Sequence, residues 1–480
     1  MQRPFWFAQA LADDPTVLPP LIGQTRADVC IVGGGYTGLW TAIRIKQQAP
    51  QLDVVLLEAD TCGAGASGRN GGCMLSWATK LLTLERLFGE AEAKRLVRAS
   101  ENAIADIEAF TRKHAIDCDL RRDGVLFTAT NAAQLGNTDD AIAALARRGL
   151  NSYTTLPRDE VARRAGSRQH LGGVFSPHGA TVQPGKLVRG LRRVALEMGV
   201  RIHEQSAMTT LDEGEMPCVR TAAGEVRAGK VVLALNAWMA SAFPQFKRSI
   251  VVVSSDMVIT EPRPERLTTI GLTSGVAVLD SRTFVYYYHG TSDGRIMLGK
   301  GGNTFAYDAR MLPVFDQPSP YLRPLTDALA RFFPEFADVP VAASWNGPSD
   351  RSATGLPFFG RLGRHPAVFY GLGYSGNGVA PSFLGGQILS SLALGEDNAW
   401  TRSGLTHGPR GRFPPEPLRY VGSLLVRNAI RRKELAQDRD RTPWFFDRAL
   451  ARLADAAGKA DHPGAGARPD GAHSSSRTRN

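Results

Sequence analysis

The fold is decided by residues 27–72, which read ADVCIVGGGYTGLWTAIRIKQQAPQLDVVLLEADTCGAGASGRNGG. The β-branched run at residues 29–32 is typical of a strand buried on both faces. A glycine pattern G-x-G-x-x-G follows, and apolar residues then recur at helical spacing. This order brings a diphosphate to the positive end of a helix dipole and therefore predicts a nucleotide-binding turn. The predicted contacts in the turn are Gly33, Gly35, Tyr36, Thr37 and Gly38.

A second apolar strand at residues 54–57 ends at Glu58, about twenty residues after the last glycine of the turn. A carboxylate at this place can accept hydrogen bonds from both ribose hydroxyls of an adenosine, and no arginine follows directly to hold a 2′-phosphate. A chance glycine cluster in an unrelated α/β protein is the alternative. It is disfavoured because both strands, the helix and the acidic residue stand in the required order.

A second glycine-rich loop, CGAGASGRNGG, occupies residues 62–72 directly after the ribose-binding strand. Such a loop can offer backbone N–H groups, the Ser67 hydroxyl and the Arg69 guanidinium to a pyrophosphate and an isoalloxazine ring. A nicotinamide enzyme needs no such loop here, so the sequence favours a flavin dinucleotide. The predicted contacts in this loop are Ser67, Arg69, Asn70, Gly71 and Gly72.

These motifs resemble those of the FAD-dependent amine and amino-acid oxidoreductases of the D-amino-acid oxidase superfamily, and A-S-G-R-N-G-G is most similar to the gamma-glutamylputrescine oxidase branch. The resemblance spans residues 5–398. It implies FAD and a mixed α/β (α+β) fold, with a Rossmann-type FAD-binding domain and an interleaved antiparallel-sheet substrate domain. Members that tether the flavin use a histidine near this loop or a cysteine in the later half of the body. This chain has no loop histidine and no cysteine after Cys218, so we expect non-covalent FAD.

The cofactor and substrate parts are predicted to alternate along the chain. The FAD-binding domain is assigned to residues 1–80, 166–240 and 341–398. The substrate domain is assigned to residues 81–165 and 241–340. Residues 399–460 are predicted to form a helical extension, and residues 461–480 a disordered tail.

The resemblance implies two later cofactor segments. Residues 186–204 resemble the third segment of the family, after which a backbone group meets the adenine, here near Met208; plain α/β packing is the alternative. The closing segment resembles the motif G-x-S-G-x-G and leads into a helix, which suits negative charge on a reduced flavin. Its predicted cofactor neighbours are Gly373, Tyr374, Ser375, Gly376, Asn377 and Gly378.

Alternating apolar residues between positions 248 and 300 predict an antiparallel sheet, which in the family covers the flavin and carries the substrate pocket. Tyr286 and Tyr288 are two residues apart and therefore share a face, either in the pocket or in ordinary sheet packing. His289, beside a Gly-Thr-Ser-Asp-Gly turn, is expected at the surface. The predicted substrate residues are Tyr286, Tyr288, Trp345 and Tyr374.

The resemblance implies oxidation of an amine. A hydride passes from the carbon to flavin N5, and water hydrolyses the resulting imine to a carbonyl. The cofactor supplies the difficult chemistry, so we expect no metal, and the sequence singles out no catalytic side chain. The alternatives are an amino-acid or hydroxy-acid dehydrogenase that passes electrons to a quinone, and a non-catalytic flavoprotein.

Two departures from the family bear on substrate and acceptor. Where members that oxidise small α-amino acids carry a carboxylate-binding arginine in G-L-R-P, this chain has Ser349, which favours a larger or non-carboxylate amine. Where some members carry an oxygen-activating lysine in K-L-G, this chain has Met297, and Lys300 lies three residues further on. Oxygen and a quinone or other acceptor both stay open.

The composition is that of a globular protein of 480 residues, with 43% hydrophobic and 21% charged residues. No stretch approaches the ~20 apolar residues of a membrane span. The N-terminus shows no apolar leader, so we expect a cytoplasmic protein. Five cysteines, an odd number without a C-x-x-C pair, argue against a disulfide framework and a zinc site.

The net charge of +11 is concentrated near the C-terminus, where residues 401–480 hold 16 Lys and Arg against 8 Asp and Glu. A basic tail is weak support for nucleic-acid binding, so we expect no nucleic-acid partner. Residues 418–436 predict a helix, and a second one follows residue 442. These helices are predicted either to dock on the catalytic body or to form a basic amphipathic surface that contacts anionic lipid.

Overall fold

The computed structural model of the protein describes residues 3–363, 367–458 and 460–461. In chain order its strands are β1 Gly23–Val32, β2 Val54–Leu57, β3 Cys73–Leu75, β4 Val125–Ala129, β5 Thr154–Leu156, β6 Gly172–Ser176, β7 Gly179–Thr181, β8 Arg201–His203, β9 Thr210–Asp212, β10 Cys218–Arg220, β11 Gly224–Leu233, β12 Ile250–Thr260, β13 Ala277–Asp280, β14 Tyr286–Gly290, β15 Ile296–Phe305, β16 Val341–Ser352, β17 Phe358–Leu362 and β18 Val368–Leu372. Its α-helices are α1 Phe5–Asp13, α2 Tyr36–Gln48, α3 Leu81–Phe88, α4 Glu90–Lys113, α5 Asp139–Arg147, α6 Arg158–Ala165, α7 Pro184–Glu197, α8 Met239–Ala242, α9 Pro264–Ile270, α10 Leu322–Phe332, α11 Pro381–Leu394, α12 Leu418–Gln437 and α13 Phe445–Ala451.

The first sheet has the strand order β17-β18-β11-β1-β2-β8, with β10 and β9 attached beside β11. Parallel pairing joins β1 to β11 and β2, β2 to β8, and β11 to β18, whereas β17 is an antiparallel edge. The last four residues of β1 and all of β2 are buried, as expected for parallel strands covered on both faces. The predicted Rossmann-type core is confirmed.

The two helices that follow the predicted cofactor turns, α2 and α11, pack against each other. A Cβ atom at Gly386 would lie 2.5 Å from Cβ of Trp40, so glycine permits this close approach. The Trp40 ring packs edge-on against Phe383 at 5.0 Å and Phe110 at 4.8 Å between ring centroids. The contact fixes the two cofactor turns relative to each other.

The second sheet has the order β16-β12-β15-β14-β13-β4-β6-β5. The strands between positions 248 and 300 pair antiparallel, β12 with β15, β15 with β14 and β14 with β13, which confirms the predicted antiparallel sheet. Strand β4, from an earlier part of the chain, runs parallel to β13. The strands β6 and β16 lie in this sheet, although the predicted boundaries assign them to the FAD-binding domain. The β12–β16 pairing runs from Ile250–Ser352 to Thr260–Val341, a long-range contact that no local pattern reveals. The remaining domain division stays a prediction.

The C-terminal extension docks on the catalytic body through α12. Ile430 is fully buried with Phe284. Asp438 accepts hydrogen bonds from both terminal nitrogens of Arg282 at 2.8 Å. The predicted disorder from residue 461 is corrected at its first residue, because Asp461 is buried and accepts from the Thr83 N–H at 2.8 Å; residues 462–480 lie outside the described part. No helix in the described ranges is both long and apolar enough to cross a bilayer.

Candidate active site

The phosphate turn lies where β1 passes into α2. Gly33 has φ of +112°, and a Cβ there would come within 2.5 Å of the Ala234 carbonyl oxygen. A Cβ on Gly38 would lie 1.9 Å from the Gly33 carbonyl oxygen, so the helix could not start so close to the strand with any other residue. Gly35 is extended and immediately precedes α2. This arrangement fits the diphosphate of a dinucleotide at the helix N-terminus.

The Glu58 carboxylate stands at the end of β2 beside this turn. Its Oε2 accepts from the Gly34 N–H at 2.7 Å, and its Oε1 accepts from the Asp60 N–H at 3.0 Å. Burial raises the pKa of Glu58, while the two backbone donors oppose that effect. Each oxygen keeps a further lone pair, so the carboxylate can also accept from ribose hydroxyls.

The loop at residues 62–72 closes onto the turn. Ser67 Oγ accepts from the Tyr36 N–H at 2.9 Å, and Asn70 Oδ1 accepts from the Gly72 N–H at 2.9 Å. The Arg69 guanidinium was expected to reach the pyrophosphate. In the structure its guanidinium donates to the Phe315 carbonyl and pairs with Asp316 at 2.7 Å, and the residue lines the main cavity described below.

The closing turn precedes α11 and rests on Asp350 of β16. The Asp350 carboxylate accepts from the N–H groups of Gly373 at 2.5 Å and Ser375 at 3.4 Å. Burial raises the pKa of Asp350 to about 6. The Tyr374 hydroxyl accepts from Thr37 Oγ1 at 2.9 Å and so connects the closing turn to the phosphate turn.

One cavity, together with its mouth, encloses about 1100 Å³ and runs from these turns to the second sheet. Of the residues predicted from sequence, it brings together Tyr36, Thr37, Ser67, Arg69, Asn70, Gly71, Tyr374, Gly376 and Gly378. Ser375 and Asn377 line a small side cavity next to it. Six further predicted residues lie in or beside the turns and do not line the cavity: Gly33, Gly35, Gly38, Glu58, Gly72 and Gly373. Met208 is partly buried against the first sheet and does not line it either. The binding roles of all these residues stay predictions.

The expected substrate tyrosines require a correction. Tyr287, not Tyr286 or Tyr288, lines the cavity, because the alternation of β14 turns Tyr287 to that face. Tyr288 is buried on the other side, with its hydroxyl 2.6 Å from Nε2 of His170. Tyr286 lies under Lys300, whose Nζ is 4.1 Å from the ring centroid.

Two further expectations about aromatic side chains differ from the structure. Trp345 does not line the cavity; its Nε1 donates to the Arg69 carbonyl at 2.8 Å, and its ring packs against Trp6. His289 is buried rather than at the surface, with Nε2 3.0 Å from the Gly71 carbonyl oxygen. Burial lowers the pKa of His289 to about 4, helped by nearby Arg121.

Sequence reasoning missed several polar residues. Ser255 Oγ lies 2.8 Å from the Tyr287 hydroxyl at the cavity. Arg351 lines both the main cavity and the side cavity. Glu204 is fully buried and accepts from the Cys62 N–H at 2.8 Å. It thereby anchors the loop at residues 62–72, called the flavin loop below. Of these, Arg351 was detectable, because it shares the face of Ser349 by strand alternation. No metal-binding group of three or more His, Cys, Asp or Glu occurs in the part of the chain that the structure describes.

Comparison with known proteins identifies the family of this chain. The family model "FAD dependent oxidoreductase" (DAO) matches residues 28–392. Gamma-glutamylputrescine oxidoreductase of Escherichia coli (strain K12) is 30% identical over 77% of this chain and 84% of that protein. Glycine oxidase of Geobacillus kaustophilus (strain HTA426) is 24% identical over 78% of this chain and 95% of that protein. The crystal structure of glycine oxidase from Geobacillus kaustophilus matches with a TM-score of 0.65 at 20% identity, covering 80% of this chain and all of that chain. The chain therefore belongs to the DAO family of FAD-dependent oxidoreductases.

Proposed function

We propose that this protein oxidises an amine at a C–N bond and releases a carbonyl compound after the imine is hydrolysed. The observation that carries the proposal is the continuity of one cavity from Thr37 and Ser67 at the cofactor turns to Leu279 in the second sheet. The names of the relatives, gamma-glutamylputrescine oxidoreductase and glycine oxidase, support an amine as the electron donor.

The bound FAD would supply the chemistry by accepting a hydride from the substrate carbon. The chain's own residues prepare the substrate. Leu75, Met257 and Leu279 give the cavity apolar walls, which exclude water and favour the neutral form of an amine. Burial raises the pKa of Tyr287, so its phenol stays protonated and can donate a hydrogen bond beside the substrate.

The closing turn is placed to stabilise the negative charge that builds up on the cofactor when it is reduced. Gly376 and Gly378 line the cavity just before the N-terminus of α11. Backbone N–H groups and the positive end of a helix dipole at this place stabilise negative charge on a reduced cofactor. Asp350 holds the turn in place from beneath.

The electron acceptor is proposed to be oxygen or a quinone, and the surroundings of β15 favour a quinone or another acceptor. Lys300 donates to the Phe284 carbonyl at 2.8 Å and lies 3.5 Å from Glu434, so its charge is held away from the cavity. Met297, at the place where some members of the family carry the lysine, packs close to Gly71: a Cβ on Gly71 would lie 3.1 Å from Cε of Met297. A hydroxy-acid or amino-acid dehydrogenase is the alternative function, since the same cavity would serve hydride removal from a C–OH carbon.

Anaerobic reduction of the purified flavoprotein tests the proposal. We expect a panel of primary and secondary amines to bleach the yellow absorbance, and hydroxy acids to leave it unchanged. Bleaching by hydroxy acids alone would support the alternative function, and bleaching by neither class would refute both. Reoxidation by air against reoxidation by a soluble quinone then identifies the acceptor.

We also propose that the extension contacts anionic lipid, which suits delivery of electrons to a membrane quinone. Trp444, Phe445 and Phe446 are exposed, at 67%, 64% and 58% of their surface. Several basic side chains of α12 instead bind the body, as Arg427 does at the Asn303 carbonyl. Flotation with anionic liposomes should therefore be lost when the three aromatic residues are replaced by serine. If the wild type does not float at low salt, the aromatic surface serves packing or dimer contacts.

A cytoplasmic location stays a prediction, to be tested by cell fractionation.

A further inference from the structure

Two small side cavities adjoin the main cavity, and the C-terminal end of the described chain lines both of them. The first, which Ser375 and Asn377 also line, is lined by Gly458 and encloses about 390 Å³ together with its mouth. The second is lined by Ala460 and Asp280 and encloses about 240 Å³ in the same measure. Both are much smaller than the main cavity, so each can take only a narrow end of a molecule.

Shared wall residues show how the three spaces lie. Leu75 lines the main cavity and the first side cavity. Val285 lines the main cavity and the second side cavity, and Phe127 lines both side cavities. The side cavities therefore adjoin each other and the same side of the main cavity. The chain at Gly458 and Ala460 lies beside both of them, and the three shared wall residues are apolar.

Asp461 fastens this end of the chain to the start of α3. Its carboxylate accepts from the Thr83 hydroxyl at 2.7 Å and from the Thr83 N–H at 2.8 Å, and Lys80 lies 3.5 Å away. The Asp461 N–H donates to the Thr79 carbonyl at 2.8 Å. Asp461 and Thr83 are both buried, and a negative charge is favourable at the N-terminus of a helix. The end of the chain is thus held next to the two side cavities.

The rest of the extension supports the same side of the main cavity from behind. Val285 lines the cavity, and its neighbour Phe284 is buried against Ile430 of α12 and Ala451 of α13. The extension comes after residues 28–392, the part of the chain that matches the family model. The common body of the family therefore does not account for these contacts.

We propose that Gly458, Ala460 and Asp461, together called the C-terminal segment, set the length limit of the amine substrate by closing the side cavities to its far end. The inference rests on the proposed amine oxidation, which requires the reacting carbon at the cofactor end of the main cavity. The far end of the substrate then extends past Leu75 and Val285 until it meets the C-terminal segment. Apolar groups gain affinity as they are buried, and this gain ends at the segment.

A series of linear primary amines tests the length limit on the holoenzyme under anaerobic conditions. Butylamine, hexylamine, octylamine and decylamine are compared by their half-saturation concentrations. These are read from the flavin absorbance, whether an amine reduces the flavin or only perturbs its spectrum. Each additional methylene that becomes buried should lower the half-saturation concentration about fourfold. In the wild type this fall should stop at the length that reaches the C-terminal segment.

Releasing the C-terminal segment should extend the series. In Asp461→Ala, which removes the carboxylate, the half-saturation concentration should continue to fall beyond the wild-type limit. Thr83→Val loses only the hydroxyl donor and should shift the limit in the same direction. The matched control Asp397→Ala removes a carboxylate that is 82% exposed and paired with Arg402, and it should keep the wild-type limit. Hydrogen exchange gives a readout that does not depend on activity: the Thr83 amide should exchange faster in Asp461→Ala than in the wild type or the control.

The outcomes separate the length limit from the underlying function. If amines reduce the flavin but the wild type shows no limit, the inference is overturned and amine oxidation stands. The same holds if Asp461→Ala and Thr83→Val keep the wild-type limit although Thr83 exchanges faster. Unchanged exchange at Thr83 in Asp461→Ala would show that Asp461 does not hold the segment, and it would also overturn the inference. If neither these amines nor any other primary or secondary amine reduces the flavin, the proposed function itself fails.

Discussion

Replacement of Glu204 by alanine should destabilise the protein, because it removes a single buried carboxylate to which several groups donate hydrogen bonds. Glu204 lies at the end of β8 with no exposed surface. Arg192 Nε donates to it at 3.0 Å and Arg189 Nη1 at 3.4 Å, and the N–H groups of Leu18 and Cys62 donate at 2.7 and 2.8 Å. The carboxylate thus connects the N-terminal segment, α7 and the flavin loop.

The magnitude follows from what the substitution leaves behind. Both arginines are only 3% exposed, and Asp14 then becomes their remaining carboxylate partner among the described residues, at 2.6 Å from Arg189 and 3.7 Å from Arg192. Breaking a buried ion pair on one side costs about 3–5 kcal/mol. Since proteins are stable by only about 5–15 kcal/mol, we expect a large loss in the free energy of unfolding.

The matched control is Glu197→Ala on α7, which removes the same charge from an exposed pair with Arg193. This control should cost about 0.3–0.5 kcal/mol. Urea denaturation of both holoenzymes, followed by tryptophan fluorescence, measures the difference. FAD release should precede unfolding in Glu204→Ala, because the Cys62 N–H loses its acceptor at the start of the flavin loop. The reasoning is refuted if the two variants unfold within 1 kcal/mol of each other.

Three further predictions concern the cofactor and pH. Glu58→Ala should weaken FAD binding by roughly 1–3 kcal/mol in titrations of the apoprotein, for a lost charge-assisted contact, and an unchanged Kd would contradict the ribose role. His289 has a folded pKa of about 4 against an ordinary value of about 6.5, so the unfolded chain takes up the proton first and stability should fall as pH drops from 6.5 to 4. In denaturation measured at pH 6.5 and pH 4, His289→Gln should reduce the loss in the free energy of unfolding by up to about 3 kcal/mol. The same pH dependence in the variant and the wild type would count against this prediction. Acid precipitation should release all of the flavin into the supernatant, whereas yellow colour in the pellet would indicate a covalent bond.

The cofactor turns could be predicted from the sequence because their signals are local. Gly33 and Gly38 stand at fixed offsets between a strand and a helix, and steric contacts of less than 3 Å explain why glycine is required there. Glu58 follows its strand directly. Local order therefore predicts β1, α2 and β2, the part of the first sheet that forms the phosphate turn.

The substrate side could not be predicted as well, because its contacts join distant parts of the chain. A strand's alternation says that Tyr286 and Tyr288 share a face but not which face meets the cavity, and a shift by one residue exchanges the two. The pairing of Arg282 with Asp438 spans 156 residues, and it holds the basic extension against the body. For the same reason, the local sequence around His289 does not predict that this side chain is buried under Trp6 and beside Gly71.

The central claim is that this chain removes a hydride from an amine carbon and breaks the C–N bond. An anaerobic single turnover tests it most directly: the holoenzyme is mixed with the amine that bleaches it fastest, quenched, and analysed for products. The account predicts one carbonyl compound and one released amine or ammonia for each FAD reduced. Flavin reduction without C–N cleavage, or carbonyl formation while the flavin stays oxidised, would contradict it.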